Sequence, residues 1–198
     1  MEYLITIVIT LVSIIILKMG LNLHIKDIKR IKEIGYDKEL NEIANKFPEN
    51  KLICEAVLEK LNNKKVKIEE ESNTKTSLYI AVSNTIIIAN IKDTFTRIQT
   101  IAHECLHSIQ NRRILLFNFI FSNILMIYFL AAIPLTLLKI LNGYVFVQIY
   151  IGMSIMSYIV KAYLENDAMT KAFFVAKEYM LECQKENKEI TDEDINKL

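Results

Sequence analysis

Long uninterrupted apolar runs alternate along this chain with stretches in which apolar residues recur at helical spacing among charges. Tyr3 to Leu17 is uncharged and apolar, and Met19 and Leu21 extend it beyond Lys18, a residue able to snorkel to an interface. Ile114 to Leu138 is apolar apart from Asn118, Ser122, Asn123 and Thr136, with Pro134 near its far end. Asn142 to Val160 is interrupted only by Gln148, Ser154, Ser157 and glycines. Each of the last two runs is long enough to cross about 30 Å of hydrocarbon as a helix. The connection from Lys139 to Leu141 is so short that these two spans must form a hairpin. The first run has no basic leading segment and no small-x-small cleavage site after it, so an uncleaved anchor is expected rather than a signal peptide.

Between the first and second spans the pattern changes to that of a folded polar domain. Ile25 to Ile34 and Tyr36 to Phe47 read as two charged amphipathic helices, Pro48 breaks the pattern, and Asn50 to Leu61 resumes it through Leu52, Ile53, Ala56, Val57 and Leu61. Asn62-Asn63 signals a turn and Val66 to Glu70 alternates like an exposed strand. Ser77 to Val82 and Thr85 to Ile91 are β-branched runs joined at Ser83-Asn84, which predicts a hairpin. From Asp93 or Thr94 as N-cap, Phe95, Ile98, Ala102, Cys105, Leu106 and Ile109 form the apolar stripe of another helix. Its opposite face carries Thr96, Gln99, Thr100, His103, His107 and Gln110. The highly charged tail from Gln184 is expected to fray.

Composition agrees with this division. Hydrophobic residues make up 52% of the 198, with four Gly, two Pro and no Trp, yet 24% are charged. Those figures conflict for one soluble domain and fit spans plus a polar domain. The expected organisation is an anchor over 1–21, a helix and hairpin domain over 22–112, a transmembrane hairpin over 113–160 and a further helix with a charged tail over 161–198. The expected fold class is α+β, a mainly helical membrane protein with three transmembrane helices and a small sheet. Lys18, Lys26, Lys29, Arg30 and Lys32 follow the first span, Arg112 and Arg113 precede the second and Lys161 follows the third, against Lys139 alone on the other side. The bias predicts a multi-pass protein of the plasma membrane with its polar domain and tail in the cytoplasm. Three unpaired cysteines, Cys54, Cys105 and Cys183, suit that reducing compartment.

The chemistry is concentrated in His103-Glu104-Cys105-Leu106-His107, an H-E-x-x-H array in a chain with only three histidines. Residues four apart lie on one helix face, so both imidazoles can grip one ion. Glu104 is placed to take a proton from a zinc-bound water. The plain alternative is an amphipathic helix whose polar face happens to carry two histidines. A catalytic zinc needs a third protein ligand, often Glu, and Glu165 is the outstanding candidate. The hairpin places the start of the second span beside the end of the third, which brings Glu165 to the motif helix. Asp167 is an alternative ligand or an acceptor for an imidazole N–H, and Ala168 and Ala172 are small enough to let the two helices approach closely. Tyr163 is a candidate transition-state donor, although tyrosine at a membrane exit commonly anchors at the interface. Either strand of the hairpin before the motif helix could hold an extended substrate by main-chain hydrogen bonds. Glu178, Glu182 and His24 read as solvated surface.

His103 to Gln110, H-E-C-L-H-S-I-Q, resembles the H-E-V-G-H-A-I-Q block of bacterial membrane-bound neutral zinc metallopeptidases of the YugP type. Glu165-Asn166-Asp167-Ala168 with Lys171-Ala172 resembles that family's downstream E-x-[D/N]-A-S-x-R-A block, and the order of spans and domains matches. The resemblance implies that His103, His107 and Glu165 bind one zinc ion and that Glu104 is the catalytic residue. Leu106 stands where the family has Gly, and Met169 and Lys171 where it has Ser and Arg. The expectation is a membrane-integrated metallopeptidase acting on peptide or protein substrates, membrane proteins among them, in contact with the bilayer and with another copy of itself through Asn118, Asn123 and Gln148. No nucleic-acid partner is expected. The alternative is a non-catalytic membrane protein with a structural zinc or a vestigial site.

Overall fold

A computed structural model describes residues 37–74 and 76–198, together with Val8 and Val12. The predicted first span and the predicted helix from Ile25 to Ile34 lie outside the described residues.

The polar domain opens with α1 (Lys38–Asn45), capped by the Asp37 side chain, which accepts from the Leu40 N–H, and α2 (Asn50–Lys60). Pro48 separates them, as its missing N–H and fixed φ dictate. A three-stranded sheet follows, built from β1 (Lys67–Glu71), β2 (Leu78–Ile80) and β3 (Thr85–Ala89) in the order β1-β3-β2. β2 and β3 form the expected antiparallel hairpin, with Tyr79 opposite Ile86, while β1 runs parallel to β3 with Ile68 opposite Ile86. Asn84 turns the hairpin in the left-handed region (φ 54°), where asparagine is tolerated. Its side chain accepts from the Tyr79 hydroxyl and donates to the Lys65 carbonyl. β3 is the central strand, and its Thr85, Ile86, Ile88 and Ala89 are buried. Among the described residues only β2 of the hairpin therefore has a free edge for a substrate strand, which narrows the expectation that either strand could serve.

The motif helix is α3 (Arg97–His107). It starts later than Asp93 or Thr94 would set it, because residues 92–93 and 95–96 are turns and Thr96 is the N-cap. α4 (Arg112–Leu137) and α5 (Gly143–Glu186) follow. Both are long and apolar enough to cross a membrane, with mean hydropathies of 2.2 and 1.5 over their most apolar stretches. Ser122 meets Ser157, and the tilted rings of Phe129 and Tyr150 lie 5.3 Å apart, so these helices run antiparallel as the hairpin required. Lys139, at φ 58°, ends α4. α5 is one 44-residue helix that runs from the apolar run through Glu165 to the tail.

Of the described residues, Phe117–Lys161 belong to one compact unit, and Ala162–Leu198 to another with the chain up to Leu116. In that second unit Ile53, Ile86, Ile88, Ile98 and Ile101 make the core, each buried side chain stabilising by about 1.5–3 kcal/mol. Ala168, Ala172 and Ala176, spaced four apart on α5, join the same core. The tail does not fray. Ile190 and Ile195 are buried, α6 (Asp192–Lys197) carries a Thr191/Asp194 capping box, and Asp194 pairs with Lys46 at 2.8 Å. Its two isoleucines join the core, while Lys46 bonds the Glu189 carbonyl and Lys197 pairs with Glu39 of α1. Glu178 and Glu182, read as solvated, are exposed and flank the Lys60 ammonium.

Candidate metal centre

α3 is held at both ends by residues the motif does not include. Arg97 is 1% exposed, and its guanidinium donates to the carbonyls of Ala44 and Phe47 and to Asn50 Oδ1. This fork ties the start of the motif helix to the loop between α1 and α2. At the other end Asn63 donates to the Ser108 carbonyl and hydroxyl, and the Ser108 hydroxyl donates to the Cys105 carbonyl. The helix stops at His107, and Gln110 falls in the turn that follows.

One helical turn apart on α3, His103 and His107 face each other with Nε2 atoms 3.0 Å apart and rings perpendicular. Glu165 Oε2, from α5, lies 3.3 Å from His103 Nε2 and 3.7 Å from His107 Nε2. These three are the group of potential metal donors found among the described residues. A tetrahedral zinc with donors at about 2.0–2.1 Å keeps them roughly 3.3–3.4 Å apart. The observed separations bracket that spacing, and two imidazole nitrogens with a carboxylate oxygen are the donor chemistry of hydrolytic zinc. The residues fit one zinc ion. Burial and the neighbouring His107 press the His103 pKa down, against the pull of Glu165. Its ring is thus neutral near pH 7, leaving a lone pair to donate.

The array is partly covered on the histidine face, with Glu165 the most exposed of the three at 41%. Leu164 and Ala168 are buried where α5 covers it, and the histidine side chains are 20% and 12% exposed. Leu106 is buried in this packing at 2% exposure. Glu104 is buried, at 8% exposure. The Tyr79 main-chain N–H of β2 donates to its carboxylate. Desolvation, with a smaller contribution from Glu165, pushes its pKa up to about 7.

Asp167 lies outside the donor group. It accepts from Gln110 Nε2 at 3.1 Å and pairs with Lys171, which together hold its carboxyl below the usual range. Tyr163 is exposed and lines a cavity of about 190 Å³ with Leu106, Gln110, Asp167 and Lys171. Gln110 was visible in the sequence as a polar residue on the motif face and as the last residue of the H-E-C-L-H-S-I-Q block, with no role attached to it. Its spacing of three from a histidine was the available signal, and its meaning depends on a helix end that periodicity does not show. No family model, curated protein or solved structure matches this chain.

Proposed function

We propose that this chain is a membrane-integrated zinc metallopeptidase that hydrolyses peptide bonds at the cytoplasmic face of the membrane. The observation that carries the reading is the meeting of Glu165 with His103 and His107 at zinc-ligand spacing, across 58 residues of sequence containing two apolar helices. The resemblance to membrane-bound neutral zinc metallopeptidases names the same three ligands and supports the reading from the sequence side.

His103, His107 and Glu165 would hold the metal, which when bound acidifies water and polarises a carbonyl. Glu104 takes a proton from the attacking water and delivers it to the departing amine nitrogen, so its carboxyl ends the cycle as it began. The apolar surroundings that raise its pKa make its carboxylate a stronger base than a solvated Glu. The Tyr79 N–H orients that carboxylate, and the outer edge of β2 beside it offers main-chain groups to an extended substrate.

The test is hydrolysis of fluorogenic peptide libraries and an unfolded test protein by detergent-purified enzyme. Glu104→Gln should retain zinc and lose at least about 100-fold in turnover, the lower end of what a general base contributes. Full turnover by that variant would overturn the mechanism.

A further inference from the structure

We propose that Gln110 is a positioning residue that fixes the tautomer of His107 and fastens its ring to the helix bearing Glu165. The amide makes three contacts. One end lies 2.8 Å from the Leu164 carbonyl oxygen and 3.1 Å from Asp167 Oδ2, the other 2.8 Å from His107 Nδ1. A main-chain carbonyl and a carboxylate oxygen can only accept, and Asp167 is kept anionic by Lys171. The atom between them is therefore the NH₂, with both of its hydrogens engaged. Turning the amide over would set its carbonyl against two acceptors. The remaining atom, Oε1, has no hydrogen to give, so His107 Nδ1 must carry the proton of their hydrogen bond. A neutral imidazole holds one N–H, which leaves His107 Nε2 bare.

That bare nitrogen is the one aimed at His103 and Glu165. Free histidine side chains in water favour the opposite tautomer, with the hydrogen on Nε2, where it would obstruct a metal. One side chain thus does two things. It keeps the donor lone pair clear, and it bridges the end of α3 to the turn of α5 that contains Glu165. Asp167 reaches His107 only through this amide. Gln110 can fold back across three residues because α3 ends at His107. The consequence for metal affinity rests on the zinc reading above; the tautomer does not.

The experiment is ¹⁵N NMR of imidazole-labelled, chelator-treated protein at pH 8, with zinc affinity measured separately by chelator competition. Only three histidines contribute signals. In the wild type His107 should show a protonated Nδ1 and a bare Nε2. Gln110→Ala should move the population toward the Nε2–H form and weaken zinc binding by about 10–100-fold, the usual effect of removing such a partner. Gln110→Glu keeps an acceptor for Nδ1–H but sets its second oxygen against the Leu164 carbonyl and the Asp167 carboxylate, so it should hold the tautomer while losing the tie between the helices. A purely structural role would lower thermal stability and leave the tautomer as it was. A wild-type His107 protonated on Nε2, or an unchanged tautomer in Gln110→Ala, overturns the proposal. Should the wild type bind no zinc, the metallopeptidase reading falls while the tautomer still decides the role of Gln110.

Discussion

Replacing Glu104 by Gln should stabilise the metal-free protein at high pH and have no such effect in acid. Glu104 is 8% exposed, and its pKa is about 7 in the fold against 4.5 for an unburied Glu. The folded state therefore holds this proton more tightly than the unfolded chain does. Below pH 4.5 the group is protonated in both states and costs nothing. As pH rises toward 7 the unfolded chain ionises first and folding loses stability, and above 7 the full penalty stands. From 4.5 to about 7 is about 2.5 pH units, worth about 3 kcal/mol at 1.36 kcal/mol per unit. Gln cannot ionise, yet keeps an acceptor for the Tyr79 N–H. At about 2–4 °C per kcal/mol for a chain of this size, Glu104→Gln should melt roughly 6–12 °C above the wild type at pH 8. The gap should close by pH 4.5. Circular-dichroism melts in detergent with chelator present measure it. A difference that does not change with pH would refute burial of the carboxylate as the origin of its shifted pKa.

Arg97→Met removes the fork that satisfies the Ala44 and Phe47 carbonyls and Asn50 Oδ1, and at about 1–3 kcal/mol per stranded buried acceptor it should destabilise by at least about 3 kcal/mol, read as a fall in Tm or in folded yield. Ala168→Leu forces a large side chain into a site with 0% exposure, so it should cost about 1–3 kcal/mol and weaken zinc binding by displacing Glu165, whereas Met169→Leu on the exposed side should change neither. Cys54 and Cys105 are fully buried with sulfurs 3.6 Å apart, and burial with mutual hydrogen bonding drives the Cys105 thiol pKa up. Mass spectrometry after alkylation of the folded protein should therefore find label on Cys183 alone.

The elements built on strong local rules were legible in the sequence. Pro48, Asn62-Asn63 and Ser83-Asn84 punctuate the polar domain where they were expected to, because a missing N–H and a left-handed turn leave a chain few choices. Length and apolarity identified α4 and α5, and the short connection between them forced a hairpin. The pairing of Glu165 with the histidines was legible for the same reason, since topology rather than sequence spacing brings them together. What escaped reading depended on neighbours distant in the chain. The parallel partner that makes β3 central is β1, which alternates too weakly to announce where it pairs. The tail was read by its charge, and its two buried isoleucines gain their meaning only from the core they join. The N-terminal boundary of α3 moved because Arg97 is drawn inward by carbonyls of another loop. Gln110 acts through atoms contributed by Leu164 and Asp167, 54 and 57 residues away.

Zinc stoichiometry and affinity in detergent-purified protein, with and without Glu165→Ala, test the central claim most directly. One tightly held zinc per chain is expected in the wild type, with Glu165→Ala retaining its fold and binding zinc markedly more weakly. A wild type that takes up no zinc, or a Glu165→Ala protein with unchanged zinc affinity, would contradict the account.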